Sequence, residues 1–276
     1  MPKIELGPIG AVVNPGEGDA FVQAAVELER LGYSTIWLTG GPLSSLGQIA
    51  DVVRATSDVR VASGIISVDR FAATDVAALH AELEATHPGR FVVGLGGAHG
   101  PQPFPTLNAY LDELDQLGSV PASARLMAAL GPRMLDLARD RAAGAFPVLV
   151  TPEYIAEARA RLGGDTTLAV EQLVVVETDP DRARAIARGP LGFLGTAPGY
   201  IRSFRRIGFT DDEITGLADR LVDALVPWGT VEAIAAHVAA QREAGADHVA
   251  ISAITDSADT VPVDQLRQLA AALIPG

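Results

Sequence analysis

Short β-type apolar runs alternate along the chain with longer segments whose apolar positions recur at helical spacing. Glu5–Val13 reads as a strand closed by the turn Asn14-Pro15-Gly16. Asp19–Leu31 reads as a helix with Phe21, Ala25 and Leu28 on one face, ended by Gly32. Thr35–Leu38, Val59–Ile66 and Phe91–Leu95 follow as strands. Leu43–Thr56, and a segment capped by Thr74 or Asp75 and running to Thr86, are the helices between them. The rhythm continues less evenly, with strands at Arg125–Ala129, Ala145–Val150, Leu168–Val176 and His248–Ser252. Helices are expected at Gly131–Arg141, from Pro152, from Asp179-Pro180, at Thr230–Ala244 and near Val263–Leu273.

A strand–helix–strand unit of about 30 residues is the signature of parallel strands joined by crossover helices. Eight such strands in 276 residues favour an α/β fold of the closed (β/α)₈ TIM-barrel type over an open doubly wound sheet. The spacing breaks between about Gly189 and Trp228, which predicts a helical insertion before the last barrel unit. No linker or shift in composition interrupts the chain, so a single domain over residues 1–276 is expected.

Composition narrows the chemistry. The absence of cysteine removes disulfides, thiolate zinc sites, iron–sulfur clusters and cysteine nucleophiles. A net charge of −13 argues against nucleic acid or an anionic membrane as partner. Lys3 is the only lysine, so an anion site must rely on Arg or backbone N–H groups, and Schiff-base chemistry is disfavoured. The N-terminus lacks a secretory pattern and no apolar run is long enough to span a bilayer; a soluble cytoplasmic protein is expected.

Two turns stand where a barrel places its ligands, at the C-terminal ends of strands. The first is Gly94-Leu95-Gly96-Gly97-Ala98-His99-Gly100, after the fourth strand. It fails the dinucleotide fingerprint, because His99 replaces the third glycine and Pro101, Pro103 and Pro105 follow where a helix should open. His99 is the one histidine in such a loop, able to donate a proton or a hydrogen bond. The second turn is Ala128-Ala129-Leu130-Gly131-Pro132-Arg133, a helix start whose free N–H groups suit a phosphate. The plain reading of the first turn is a tight loop, and that of the second, which by itself is favoured, is an ordinary capped helix start with Arg133 solvated. No metal-ligand spacing and no nucleophile elbow is present, and the many acidic residues read as solvated charge on helix faces.

Together these segments resemble the luciferase-like monooxygenase superfamily, in its branch of deazaflavin (coenzyme F420)-dependent oxidoreductases of actinobacterial type. The resemblance is carried by Glu29-Arg30-Leu31-Gly32-Tyr33-Ser34-Thr35-Ile36-Trp37-Leu38, Val59–Ile65, Pro88–Gly96, Ala128–Leu135 and Ala244–Val249, in that order and spacing. It implies hydride transfer between coenzyme F420 and a small organic substrate, with FMN as the alternative cofactor. It implies a non-prolyl cis peptide at Gly64-Ile65, behind the cofactor ring. Thr39, Gly96, Gly97, Ala98 and His99 would lie along the ring and its linker, and Ala129, Leu130, Gly131, Pro132 and Arg133 around the phosphate. A small-molecule substrate and a homodimer are the implied partners.

The chain departs from the family after the second strand, where relatives often carry an acidic residue or histidine near the ring. Here the stretch is Leu38-Thr39-Gly40-Gly41-Pro42, with no ionisable side chain. Either His99 or a substrate group supplies the proton, or the barrel binds cofactor without turnover. A flavin monooxygenase using FMN is the remaining alternative.

Overall fold

A computed structural model describes residues 3–257 and 261–274. Nine hydrogen-bonded segments form one sheet, and pairing between its third and fifth segments closes it into a barrel. Two of those segments, Arg60–Gly64 and Ile66–Ser67, flank the cis peptide Gly64-Ile65 and act as one interrupted strand, β3. The barrel is therefore eight-stranded. Its other strands are β1 (Ile9–Val13), β2 (Thr35–Thr39), β4 (Phe91–Gly96), β5 (Arg125–Met127), β6 (Gly144–Ala145), β7 (Thr167–Val174) and β8 (His248–Ala253). Every pairing is parallel, and β8 returns to β1 through Ile9↔Val249. This is the (β/α)₈ barrel that the eight-unit rhythm favours.

Helices pack outside the strands because their apolar stripes need cover: α1 (Ala20–Arg30), α2 (Gly47–Ala55), α3 (Ala73–Thr86), α4 (Pro103–Leu117), α5 (Pro132–Arg141) and α6 (Pro152–Leu162). After β7 come α7 (Pro180–Leu194), α8 (Pro198–Arg206), α9 (Asp211–Thr215) and α10 (Asp219–Leu225), then α11 (Val231–Glu243) and, after β8, α12 (Val263–Leu273). Local signals fix several starts. Thr151, Asp179 and Thr230 accept first-turn N–H groups with their side chains, and proline opens α5, α6, α7 and α8. Among the described residues no helix is long and apolar enough to cross a membrane.

Three sequence expectations need correction. The proline run after the glycine loop does not prevent a helix, because α4 begins at Pro103 itself. First-turn N–H groups have no intrahelical acceptor, so Pro103 and Pro105 forfeit nothing there. The second helix starts at Gly47, not Leu43. The guanidinium of Arg70 takes the carbonyls of Gly40, Gly41 and Leu43 at 3.1, 2.9 and 2.6 Å, holding this stretch as a loop. The sixth strand stops at Ala145, because Pro147 has no N–H to donate and only Val148 makes an isolated bridge, to Glu171.

The barrel interior is a packed plug. Leu6, Val12, Trp37, Ala62, Val92, Leu126, Phe146, Ala169 and Ala250 form one buried cluster, with Trp37 stacked on Phe146 at 3.9 Å between ring centroids. Below the stack, Trp37 Nε1 donates to His248 Nε2 at 2.9 Å, and His248 Nδ1 lies 2.7 Å from the Gly7 carbonyl. Both imidazole nitrogens are thus satisfied with the ring neutral, and full burial pushes the His248 pKa down to about 4. A second cluster, including Leu149, Leu173, Val175, Phe204, Leu221 and Leu225, seats α7 to α10 on the C-terminal end of β7.

Candidate active site at the barrel mouth

Side chains alternate along a strand, so the inward positions just beyond the plug are fixed by register. Two residues after Trp37 comes Thr39, and two after Ala62 comes Gly64. Two after Ala169 comes Glu171, and two after Ala250 comes Ser252. A Cβ on Gly64 would stand 3.1 Å from the Phe146 ring and 3.6 Å from Trp37, so this layer rests directly on the aromatic stack. The mouth above it divides into two halves.

The half formed by β2 to β5 is built from small residues and backbone. Gly40 N–H donates to the Gly64 carbonyl at 3.1 Å, and a side chain at Gly40 would collide with the Ile65 carbonyl oxygen. Only glycine permits that approach to the cis peptide. Gly97 adopts φ +72°, and Ser67 Oγ donates to its carbonyl at 3.3 Å. Ala98 packs against the core. Thr39 Oγ1 is buried without a hydrogen-bond partner in this layer.

The turn after β5 ends this half. Tyr154, buried on α6, places its hydroxyl 3.0 Å from the carbonyls of both Ala129 and Leu130, and Arg206 of α8 donates to Leu130 O at 2.9 Å. The turn's oxygens are thereby engaged on the protein side. Gly131 caps α5 through its own carbonyl, which accepts from Met134 and Leu135, each at 3.0 Å. Among the described residues, no protein acceptor takes the N–H groups of Leu130, Gly131 or Arg133. Pro132, exposed at the first helical position, has no N–H. Three free donors at a positive helix end can receive an anion, and Asp136, one turn further along α5, is paired with Arg161. Arg133 lies over the Phe104 ring at 4.6 Å.

The half formed by β7, β8 and β1 is different. A cleft of about 630 Å³ opens there, lined by Asn14, Arg182, Ile186, Pro190 and Ile254 among others. In an eight-stranded ring β5 lies across from β1, so the cleft faces the turn after β5 across the mouth. Glu171, on β7, occupies the inward register position after Ala169. Loss of hydration pushes its pKa up to about 7, only partly offset by the nearby Ser252 hydroxyl. Tyr200 of α8 is close enough for a charge on Glu171 to add to the effect of burial in raising the phenol's pKa.

Of the residues singled out in the sequence, Thr39, Gly64, Ile65, Gly96, Gly97 and Ala98 gather at one side of the mouth, and Ala129 to Arg133 form the adjoining turn. His99 stands apart at the rim with its side chain 73% exposed. Asp69 holds it, accepting from its backbone N–H at 2.8 Å and lying 3.1 Å from Nδ1. Sequence reading missed Glu171, Tyr200, Tyr154 and Arg206. For Glu171 the only sequence signal is a lone acid beside Gln172 in the strand Thr167–Val174, which reads equally as a solvent-facing position.

Comparison with known proteins agrees with this architecture. The family model described as luciferase-like monooxygenase matches residues 8–117. No curated protein sequence matches the chain. Among solved structures, an F420-dependent secondary alcohol dehydrogenase in complex with an F420-acetone adduct superposes with a TM-score of 0.74 at 14% identity, over 98% of this chain and 99% of that one. The coenzyme F420-dependent tetrahydromethanopterin reductase from Methanopyrus kandleri gives 0.71 at 15% identity, over 95% and 96%. The FMN-bound oxygenating constituent of 3,6-diketocamphane monooxygenase from Pseudomonas putida gives 0.65 at 14% identity, over 97% and 99%. The fold is thus the (β/α)₈ barrel that these structures share, and residues 8–117 match the luciferase-like monooxygenase model. Within that fold this chain resembles the F420-dependent oxidoreductases and the FMN-dependent monooxygenases alike.

Proposed function

We propose that this protein is an oxidoreductase that transfers a hydride between coenzyme F420 and a small organic substrate. The observation that carries the reading is the division of the mouth. Unpaired N–H donors and an orphaned hydroxyl lie on one side, and a roomy, partly apolar cleft on the other. These donors fit the cofactor: the N–H groups of Leu130, Gly131 and Arg133 suit its phosphate, and Thr39 Oγ1 suits a polar edge of its ring. The two F420-dependent relatives support the choice.

When bound, the deazaflavin supplies a two-electron hydride carrier. The chain's own residues do the rest. Tyr154 and Arg206 lock the carbonyls of Ala129 and Leu130 so that the neighbouring N–H groups face outward. The Gly64-Ile65 segment and the Trp37–Phe146 stack close the barrel floor and keep water from the inner side. The cleft beside Ile186 and Ile254 receives the substrate. Small-molecule partners suit its size, and homodimerisation is carried forward from the resemblance.

FMN is the second reading, because an FMN-bound monooxygenase shares the fold and a ring-and-phosphate cofactor would meet the same donors. Phosphorus NMR tests the placement. The deazaflavin phosphate resonance should shift on adding protein, and with Gly131→Asp the same shift should need at least ten-fold more protein. A shift equal in both proteins would overturn the assignment of this turn.

A further inference from the structure

One arginine at the β7–β8–β1 cleft is held unlike its counterparts elsewhere in the chain. Arg182, on α7, lines the cleft. Its guanidinium reaches two carboxylates, both loosely: Nε lies 3.3 Å from Glu177 Oε2, and Nη2 lies 3.4 Å from Asp256 Oδ2. Every other ion-paired arginine among the described residues has a carboxylate oxygen within 2.8 Å. Charge-assisted N–H bonds of this kind run at about 2.7–2.9 Å, so Arg182 keeps most of its bonding capacity in reserve. We propose that the cleft takes an organic carboxylate, whose head group binds Arg182 in place of Asp256 and whose apolar body lies along α7. The inference rests on the reading of this cleft as the substrate's place, and it names the class of substrate.

Helical register gives the body its place. Arg182, Ala185, Ile186 and Gly189 fall at i, i+3, i+4 and i+7, one stripe of α7, and all four line the cleft. Pro190 ends the stripe, and Ile254, just beyond β8, lines the cleft as well. Ile186 and Ile254 pack against the buried cluster beneath α7 yet stay partly open to solvent. From Arg182 to Pro190 the helix rises about 12 Å, which sets the length open to an apolar body. A volume of about 630 Å³ is in the range of small-ligand sites.

The lining carries one cation and one anion, so a carboxylate and an ammonium compete for it, and the anchoring of each charge decides. Glu177 is fixed: its Oε1 accepts the N–H of Thr178 at 2.8 Å and that of Asp179 at 3.0 Å, while Oε2 holds Arg182 by Nε. The two Nη groups are left for a ligand. Asp256 stands beyond β8 with its side chain 70% exposed, and its partner Arg182 is 63% exposed. A bridge that open contributes little to stability. A ligand carboxylate therefore displaces Asp256 easily and gains both prongs of a guanidinium that Glu177 already orients. A ligand ammonium would take Asp256 and stand beside Arg182, with like charges opposed. Helix stability does not account for Arg182 either, because a positive charge in the first turn of α7 opposes the helix dipole.

The test uses the full chain, with and without coenzyme F420, and three probes of one shape: 4-phenylbutanoate, 4-phenylbutanamide and 4-phenylbutylammonium. Calorimetric titration gives affinity. The nitrogen-15 resonance of Arg182 Nε, recognised by its loss in Arg182→Gln, reports contact at the residue independently of turnover. The carboxylate should bind saturably and shift that resonance, and the amide should bind about ten-fold more weakly. Arg182→Gln should weaken the carboxylate about ten-fold and leave the amide unchanged, which shows the cleft intact. Asp256→Asn should tighten the carboxylate about two- to five-fold, because the competing anion is gone. Ile186→Ala should weaken carboxylate and amide alike, by about five-fold.

The proposal is overturned by an amide that binds as tightly as the carboxylate, by preference for the ammonium, or by an Asp256→Asn variant that binds the carboxylate more weakly. Absence of carboxylate binding both with and without coenzyme F420 overturns it too. Failure of coenzyme F420 itself to bind is a separate result. It defeats the hydride-transfer reading, and titration of the cofactor-free protein still decides whether Arg182 receives a carboxylate.

Discussion

Replacing Thr39 with valine should move stability and cofactor affinity in opposite directions. Valine is isosteric with threonine and equally suited to a strand end, so packing against Gly64 and its neighbours is kept. The substitution removes a hydroxyl oxygen that is buried and has no hydrogen-bond partner. Leaving such a group unsatisfied costs about 1–3 kcal/mol, and removing it returns part of that. The cofactor-free variant should therefore be more stable by about 1 kcal/mol, or about 2–4 °C in Tm. If the hydroxyl's role is to bond the cofactor ring, the variant loses one neutral hydrogen bond, worth about 1 kcal/mol, and deazaflavin binding weakens roughly five-fold. Urea denaturation of the free protein and a fluorescence titration read the two effects separately. Thr39→Ser, which keeps the oxygen, should retain the wild-type affinity. A valine variant that is less stable when free of cofactor, or that binds it as tightly as the wild type, would refute the reasoning.

Other substitutions test the turn and the plug. Gly131→Asp places a carboxylate among three free N–H groups and should weaken deazaflavin binding at least ten-fold in the same titration. Tyr154→Phe frees the Ala129 carbonyl and leaves that of Leu130 to Arg206 alone, with an expected loss of about 1 kcal/mol in denaturant stability and a weaker affinity for the phosphate-bearing cofactor. His248 is neutral in the folded protein down to about pH 4, whereas the unfolded chain takes up a proton near 6.5. Its depressed folded pKa means that stability is lost as pH falls from about 6.5 toward 4, by about 1.4 kcal/mol per unit at most. Nitrogen-15 NMR should show His248 uncharged at pH 5.

The barrel was legible because each unit repeats one physical constraint: an apolar strand run followed by an amphipathic helix that covers it. Where the sequence misled, a local rule met a tertiary one. Three prolines after Gly100 look like a helix breaker, but two of them occupy first-turn positions that tolerate a missing donor. Leu43 to Leu46 has helical spacing, but Arg70, 27 residues beyond Leu43, binds that loop's carbonyls instead. The glycine-rich turns were visible as sites since small residues at strand ends carry meaning by themselves. Glu171 was not, because its importance lies in what surrounds it. A glutamate in a strand reads as an exposed edge until closure of the sheet turns it toward the mouth. Arg206 and Tyr154 were invisible for the same reason: each reaches the turn at Leu130 from another part of the chain, 76 and 24 residues away. His99 shows the converse. Its position in a glycine loop made it prominent, yet the fold leaves it at the solvent-facing rim beside Asp69.

The central claim is that the β2–β5 half of the mouth holds a deazaflavin. Parallel fluorescence titrations of the purified protein with coenzyme F420 and with FMN test it most directly. Saturable binding of F420, with FMN weaker and unable to displace it, is the predicted result. Preferential binding of FMN, or saturable binding of neither, would contradict it.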